Sequence, residues 1–188
     1  MSANSVTTDF NAAAPGVRPS LPELLTPNLV TAGTLVDLPL HQLLAQGIRA
    51  LVLDVDRTLL PRRGTELPEP VEVWLRRAQQ TLPLHLFSNN PSRSRIGHVA
   101  EQLGVEFTTS ASKPRRGPLR RVLANLDLPA PQVAIVGDRL FTDVLGGNRL
   151  GLYTVLVKPV APDGQPCRHD HWQRLEIRLA QLAGTNLH

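Results

Sequence analysis

Cysteine is nearly missing from this chain. The one residue, Cys167 among 188, excludes an internal disulfide and any cysteine-rich zinc site. A reducing, cytoplasmic setting fits that usage. Aromatic residues make up 4% of the sequence, so leucine, valine, isoleucine and alanine must supply the core. No apolar run approaches the ~18–20 residues that cross a bilayer. Lysine is scarce as well: of 20 basic residues only Lys113 and Lys158 are lysines, and each therefore invites a specific explanation. The opening stretch, MSANSVTTDFNAAAPGVRPS, has no charged start followed by an apolar run and does not read as a secretory signal. Residues 1–20 are expected to form a disordered leader.

What is present describes a soluble globular protein. Hydrophobic residues reach 41% and charged residues 19%, and the length suits one domain with a substantial core. The net charge of +4 favours anionic partners such as phosphorylated compounds, acidic lipid surfaces or nucleic acid.

Residues 38–50 read as a short helix closed by Gly47. Five continuous apolar runs then read as strands: 49–54, 84–88, 105–108, 132–137 and 152–157. Continuous rather than alternating runs indicate strands buried on both faces of a parallel sheet. Helical spacing appears between them. Val71, Trp74, Leu75 and Ala78 share one face after Pro70. Ile96, Val99 and Leu103 share another, with Asn90 as the expected cap and Gly104 past the end. Leu119, Val122, Leu123 and Leu126 share a third. Alternating strands and helices give an α/β sandwich with right-handed crossovers. In such sheets the ligand crevice lies beyond the carboxyl ends of the strands. Asp54, Ser88 and Asp138 each stand at such an end.

Two carboxylates closing a buried strand, as in LVLDVDRTLL, need a reason to be there. A carboxylate can attack phosphorus and divide one hard step into two easier ones. Asp54 is the expected nucleophile. It must stay ionised beside a phosphate, which calls for a cation, and Mg²⁺ takes hard oxygen ligands of this kind. Asp56 is the expected general acid and base. Ser88 offers a hydroxyl to phosphoryl oxygens, with Asn89 and Asn90 expected to open a helix whose backbone N–H groups bind the anion. Lys113 supplies a point charge to the nucleophile and to the transition state.

Four elements, DVDRT at 54–58, SNN at 88–90, KP at 113–114 and GDRLFTD at 137–143, occur in order. Together they resemble the haloacid dehalogenase-like (HAD) superfamily of phosphatases, over about residues 21 to 156. Within it the sequence is similar to the capless YqeG-like group of subfamily IIIA, whose wider relatives include phosphatidylglycerophosphate phosphatases. The resemblance implies a HAD-like Rossmannoid three-layer sandwich with a mainly parallel sheet and no cap domain. It implies Mg²⁺ held by the carboxylates of Asp54 and Asp138 and the backbone carbonyl of Asp56, with Asp143 supporting from behind or through water. It implies substrate contacts from Thr58, Ser88 and Asn89. Asp56 also argues against a dehalogenase reaction, in which no leaving alcohol needs a proton. The family usually has a small or amide residue where this chain has Arg57.

The gaps from Thr58 to Ser88 and from Ser88 to Lys113 are too short for an inserted cap. A capless site suits a large substrate, such as a lipid head group, a phosphoprotein or a nucleic-acid end. The expected activity is a phosphomonoesterase working through an aspartyl-phosphate, with phosphatidylglycerophosphate favoured. A phosphoprotein or soluble phosphate ester is the alternative substrate, and a non-catalytic basic binding module ranks last. Nucleic acid is not the expected partner. Peripheral contact with an anionic inner-membrane surface fits the basic stretch 91–121, whose arginines either rim the active-site mouth or solvate two helices. Residues 161–188 are expected to form a C-terminal extension beyond a domain at 21–160. Its helix would carry Trp172, Leu175, Leu179 and Leu182 on one face, either docked on the sheet or lying in a membrane interface. The HDH triplet at 169–171 reads as surface.

Overall fold

The computed structural model describes residues 18–167 and 170–185. The leader expected at the N-terminus lies almost wholly outside the described residues, as does His169. The described chain begins with α1 (Leu21–Leu25), whose cap Ser20 exchanges hydrogen bonds with Glu23, and β1 (Leu29–Val30). Then come α2 (Leu40–Ala45), β2 (Ala50–Leu53), α3 (Glu69–Gln79), β3 (Leu84–Phe87), α4 (Arg93–Leu103) and β4 (Glu106–Thr108). The remainder is α5 (Arg116–Leu126), β5 (Val133–Gly137), α6 (Leu145–Asn148), β6 (Tyr153–Leu156) and α7 (His171–Leu182).

All six strands are parallel, in the order β1-β6-β5-β2-β3-β4. The five longer strands are those the apolar runs predict. The two-residue β1 carries too little pattern to be read, and it is placed only by pairing with β6. Because strand side chains alternate between faces, β2 serves two cores. Leu51 and Leu53 pack with Val71, Trp74, Leu75, Ile96 and Val99 beneath α3 and α4. Ala50 and Val52 pack with Leu119 and Val122 of α5. Removing a leucine of this kind from water contributes ~1.5–3 kcal/mol, so the burial pattern alone explains why β2 sits at the sheet centre.

Local signals set the ends of α4. Gly104 terminates it with φ 67°, a left-handed conformation that glycine adopts without a Cβ penalty. Its start differs from expectation: Ser92, not Asn90, is the cap, and its hydroxyl accepts from Arg95 N. Asn90 instead turns its side-chain oxygen to Ser92 N, an Asx-type turn that holds the chain out of the helix for two more residues. The backbone at 89–90 therefore does not open a helix.

The chain between Thr58 and Ser88 forms a short flap and α3, and that between Ser88 and Lys113 forms α4 and β4. Helix α7 packs on the end of the sheet. Ala180 and Ile177 pack with Leu25, Leu140, Val144 and Leu156 in a third core cluster, which ties the C-terminal segment to the catalytic end of β5.

Candidate active site

At the end of β2, Asp54 extends the ladder by donating its N–H to Val136 O, which fixes its backbone against β5. Its side chain is held at both oxygens: Lys113 Nζ lies 2.5 Å from Oδ1, and the Thr58 hydroxyl donates to Oδ2 at 3.0 Å. The same ammonium donates to Asp143 Oδ1 at 2.6 Å and to Phe87 O at 3.0 Å. Lys113 is positioned in turn by Asn89, whose amide accepts from Lys113 N at 2.6 Å and donates to Lys113 O at 3.2 Å. A buried lysine with three acceptors is a fixed charge, which accounts for one of the two lysines in the chain.

Burial pushes the Asp54 carboxyl up to about 6, Asp143 adds to the rise, and Lys113 and Thr58 oppose it. Burial alone would lower Lys113, but Asp143 and Asp54 outweigh it and hold the ammonium above its ordinary value. Asp138 is driven well above the usual carboxylate range, by burial first and then by the charges of Asp54 and Asp143.

Asp138 follows the last residue of β5, and Asp143 belongs to a π-helical turn, Leu140–Val144, that leads on into α6. Such turns are rare and are found at functional sites. The turn folds the Asp143 carboxylate back over Gly137, where a Cβ would lie 2.3 Å from it, so glycine is required by close approach. Neither oxygen of Asp138 accepts a hydrogen bond from the described residues, although both are buried. Asp54, Asp138 and Asp143 each offer an oxygen within 4.8 Å of the others. Three buried carboxylates, one with neither oxygen hydrogen-bonded, exceed the charge of the cations beside them, Lys113 and Arg57. This hard-oxygen set fits Mg²⁺.

Asp56 points elsewhere. Its Oδ2 accepts from the Ser88 hydroxyl at 3.1 Å, and its Oδ1 accepts from Asn90 Nδ2 and Arg95 Nε, each at 3.2 Å. Arg95 also donates to the carbonyls of Gly64 and Pro61, so one guanidinium ties the flap to Asp56. Arg57 stands at φ 73°, a left-handed position that explains why a small or amide residue is the usual occupant. Here the arginine is held by two carboxylates, Asp170 at 2.5 Å and Asp138 at 3.3 Å.

Helix α7 buries the opposite face from the one expected. Gln173, Glu176 and Ala180 point inward, whereas Trp172, Leu175, Leu179 and Leu182 are 58%, 47%, 48% and 85% exposed. The reason is the polar backbone left by the π-helical turn. Gln173 Nε2 donates to the carbonyls of Asp138 (2.6 Å) and Val157 (2.8 Å), and Glu176 accepts from Leu140 N (2.9 Å) and the Arg139 guanidinium (2.6 and 2.9 Å). Asp170 corrects the surface reading of the HDH triplet, being buried, paired with Arg57, and the cap of α7.

A pocket of about 310 Å³ opens over these groups, lined by Asp54, Asp56, Ser88, Asn89, Lys113, Asp138 and Asp143 among others. Thr58 is not among them: it is 0% exposed and its hydroxyl is turned to Asp54 Oδ2. Of the basic residues at 91–121 only Lys113 lines the pocket, whose other cations are Arg57, Arg62 and Arg139. Arg95 is taken up by Asp56 and the flap, and Arg93 stacks 5.1 Å from the Phe107 ring centre. Sequence reasoning missed the roles of Arg95, Gln173 and Glu176. The only signal for the last two was the helical spacing of Gln173, Glu176 and Ala180.

A parallel sheet whose carboxyl edge gathers three buried aspartates around one lysine, with a fourth aspartate held apart, is the arrangement of a phosphatase. Comparison with known proteins agrees. The family model described as HAD-hydrolase-like matches residues 110–164. The chain is 34% identical over 122 residues to "Probable phosphatase YqeG" of Bacillus subtilis, covering 64% of this chain and 70% of that protein. It is 30% identical over 177 residues to "Phosphatidylglycerophosphatase GEP4, mitochondrial" of Saccharomyces cerevisiae, covering 87% and 91%. A crystal structure of an uncharacterized protein from Listeria monocytogenes serotype 4b shares the fold at 17% identity, with TM-score 0.50 over 66% of this chain and 84% of that one. The chain belongs to the HAD superfamily and is a phosphatase.

Proposed function

We propose that this phosphatase is a Mg²⁺-dependent phosphomonoesterase that works through an aspartyl-phosphate and acts on phosphatidylglycerophosphate presented at an anionic membrane surface. The observation that carries the chemistry is the division of labour between two aspartates two residues apart. Asp54 is buried against Lys113, while Asp56 faces Ser88 and Asn90 across the pocket. Asp54 attacks phosphorus as the bond to the leaving oxygen breaks, and Asp56 gives that oxygen its proton. A water then attacks the phosphorus of the aspartyl-phosphate, Asp56 takes its proton, and the bond to Asp54 breaks to release inorganic phosphate. Asp54 and Asp138, with the backbone carbonyl of Asp56, would hold Mg²⁺, and Asp143 would steady them together with Lys113. When bound, the ion supplies positive charge to the phosphoryl oxygens. Lys113, fixed before substrate arrives, stabilises the same charge without reorganisation.

The lipid substrate is supported by the yeast relative and by α7. Of eight large apolar side chains exposed among the described residues, four lie along its outer face, and Trp172 of that face also lines the pocket. No helix among the described residues is long and apolar enough to cross a membrane. An apolar ridge beside a cationic pocket mouth suits contact from one side.

Phosphate release from phosphatidylglycerophosphate in mixed micelles, beside a panel of soluble esters, tests the reading. Strong release on the lipid, weak release on the panel, loss with chelator and recovery with Mg²⁺ are expected. Release confined to soluble esters discards the lipid. The L175E/L179E variant is expected to lower co-sedimentation with anionic vesicles by at least about tenfold while melting at the wild-type temperature, since each leucine contributes ~1.5 kcal/mol or more when buried. Unchanged sedimentation would remove the ridge from membrane contact.

A further inference from the structure

Beside the reaction pocket lies a second, larger groove of about 640 Å³, between the flap at 61–64 and the segment 159–167. Arg57, Arg62 and Trp172 line both spaces, so the two are continuous. The groove opens next to the general acid. Pro61 and Gly64 form part of its wall, and their carbonyls accept from Arg95, the guanidinium that also pairs with Asp56. Whatever leaves with its oxygen at Asp56 can reach this groove across the shared rim of Arg57, Arg62 and Trp172.

The lining is of two kinds. Pro159, Val160, Pro162 and the Trp172 ring give an apolar wall. Opposite stand Arg57, Arg62 and Arg63, against Asp170 as the one carboxylate. Asp170 is engaged by Arg57 at 2.5 Å. Arg62 and Arg63 are exposed and have no carboxylate partner among the described residues. Two adjacent unneutralised guanidinium groups on a tethered flap are a ready receptor for an oxyanion, which arginine binds in bidentate fashion.

We propose that this groove is the leaving-group subsite and that Arg62 and Arg63 hold a second anionic group, a phosphodiester, carried by the alcohol part of the substrate. The apolar wall takes the start of its tail and leads toward the outer face of α7. The inference rests on the phosphatase reading and deepens it. The reaction pocket takes any phosphomonoester, and selection comes from a second phosphate a short linker away.

The test uses the full chain with Mg²⁺ and monomeric short-chain probes, so that attraction to a bilayer surface plays no part. Dihexanoyl phosphatidylglycerophosphate carries both phosphates, and p-nitrophenyl phosphate carries only the monoester. In R62A/R63A the ratio of kcat/KM for the first over the second is expected to fall by about tenfold or more, through KM, as loss of charge-assisted contacts predicts. R62E/R63E is expected to lower it further, and both variants should melt near the wild-type temperature because the two side chains are exposed. A parallel arm needs no catalysis: dihexanoyl phosphatidylglycerol, which has the phosphodiester without the monoester, is titrated into wild type and variant by calorimetry. Binding weakened about tenfold in R62A/R63A supports the subsite even if no ester yields phosphate, a result that would overturn the proposed function alone. An unchanged kcat/KM ratio, or wild-type affinity in the double variant, or no binding by the wild type, overturns the subsite.

Discussion

Asp54→Asn is expected to lower phosphate release by at least about a thousandfold on every substrate the wild type accepts, the scale of removing a nucleophile, and to leave the melting temperature in chelator equal or higher. The first half follows from chemistry: an amide of the same shape keeps the place between Lys113 and Thr58 but has no charge with which to attack phosphorus. The second half separates this from damage to the fold. Burial and Asp143 raise Asp54 to about 6, so the folded state disfavours the ionised form that the unfolded chain carries at neutral pH. A group whose folded pKa is raised costs stability as pH climbs from about 3.9 through that value. Asparagine removes the cost, while Lys113 keeps Asp143 at 2.6 Å. Activity lost together with several degrees of melting temperature would assign Asp54 to structure, and activity retained would end the nucleophile reading. The comparison needs only phosphate assays and thermal melts of two proteins, with chelator in the melts.

The sheet was legible because its strands are buried on both faces. Unbroken apolar runs such as Leu51–Val52–Leu53 admit few other readings, and the helices between them show their inner residues at 3.6-residue spacing. The carboxyl edge was legible for a related reason: Asp54, Ser88 and Asp138 interrupt those runs where a parallel sheet places its ligand crevice. The gathering of Asp54, Asp138, Asp143 and Lys113 in one buried cluster follows from four short motifs at strand ends and turns.

What stayed illegible was set by partners distant in sequence. Arg57 stands out only as a departure from the family pattern and Arg95 only as one of a basic stretch, yet Arg57 pairs with Asp138 and Arg95 with Asp56. The largest reversal is α7. Its leucines define the apolar face, and apolar faces usually turn inward. Here the chain leaving β5 presents the Asp138 carbonyl and the Leu140 N–H to α7, and buried without partners each would cost stability. Gln173 and Glu176 supply the partners, so the polar face goes in. The same choice leaves the leucine ridge beside the pocket mouth.

Lys113→Met is expected to be the most destabilising single change at the site. Among the described residues the ammonium is the one cation paired with Asp54 and Asp143, at 2.5 and 2.6 Å, and it is buried with them. Removing one partner from a buried ion cluster leaves uncompensated charge, at about 3–5 kcal/mol, or a fall of about 10 °C in melting temperature for a domain of this size. The sign of the pH dependence is fixed as well. Wild-type Lys113 has a raised pKa, so its contribution is complete below about pH 10. Without it the Asp54 carboxyl moves further up, the folded state holds a proton that the unfolded chain releases, and the deficit grows from about pH 4 toward neutrality. Activity falls by the same cause, since less of Asp54 is ionised to attack phosphorus. Urea melts in chelator at pH 5 and 7.5, for K113M, D143N and the double variant, read this directly. The deficit of K113M should be larger at pH 7.5, and D143N added to K113M should recover part of it, because the pair is removed rather than broken. Mg²⁺ should stabilise K113M through the remaining carboxylates. If K113M melts like the wild type at both pH values, the lysine is a solvated loop residue and the electrostatic account of this site is wrong at its centre.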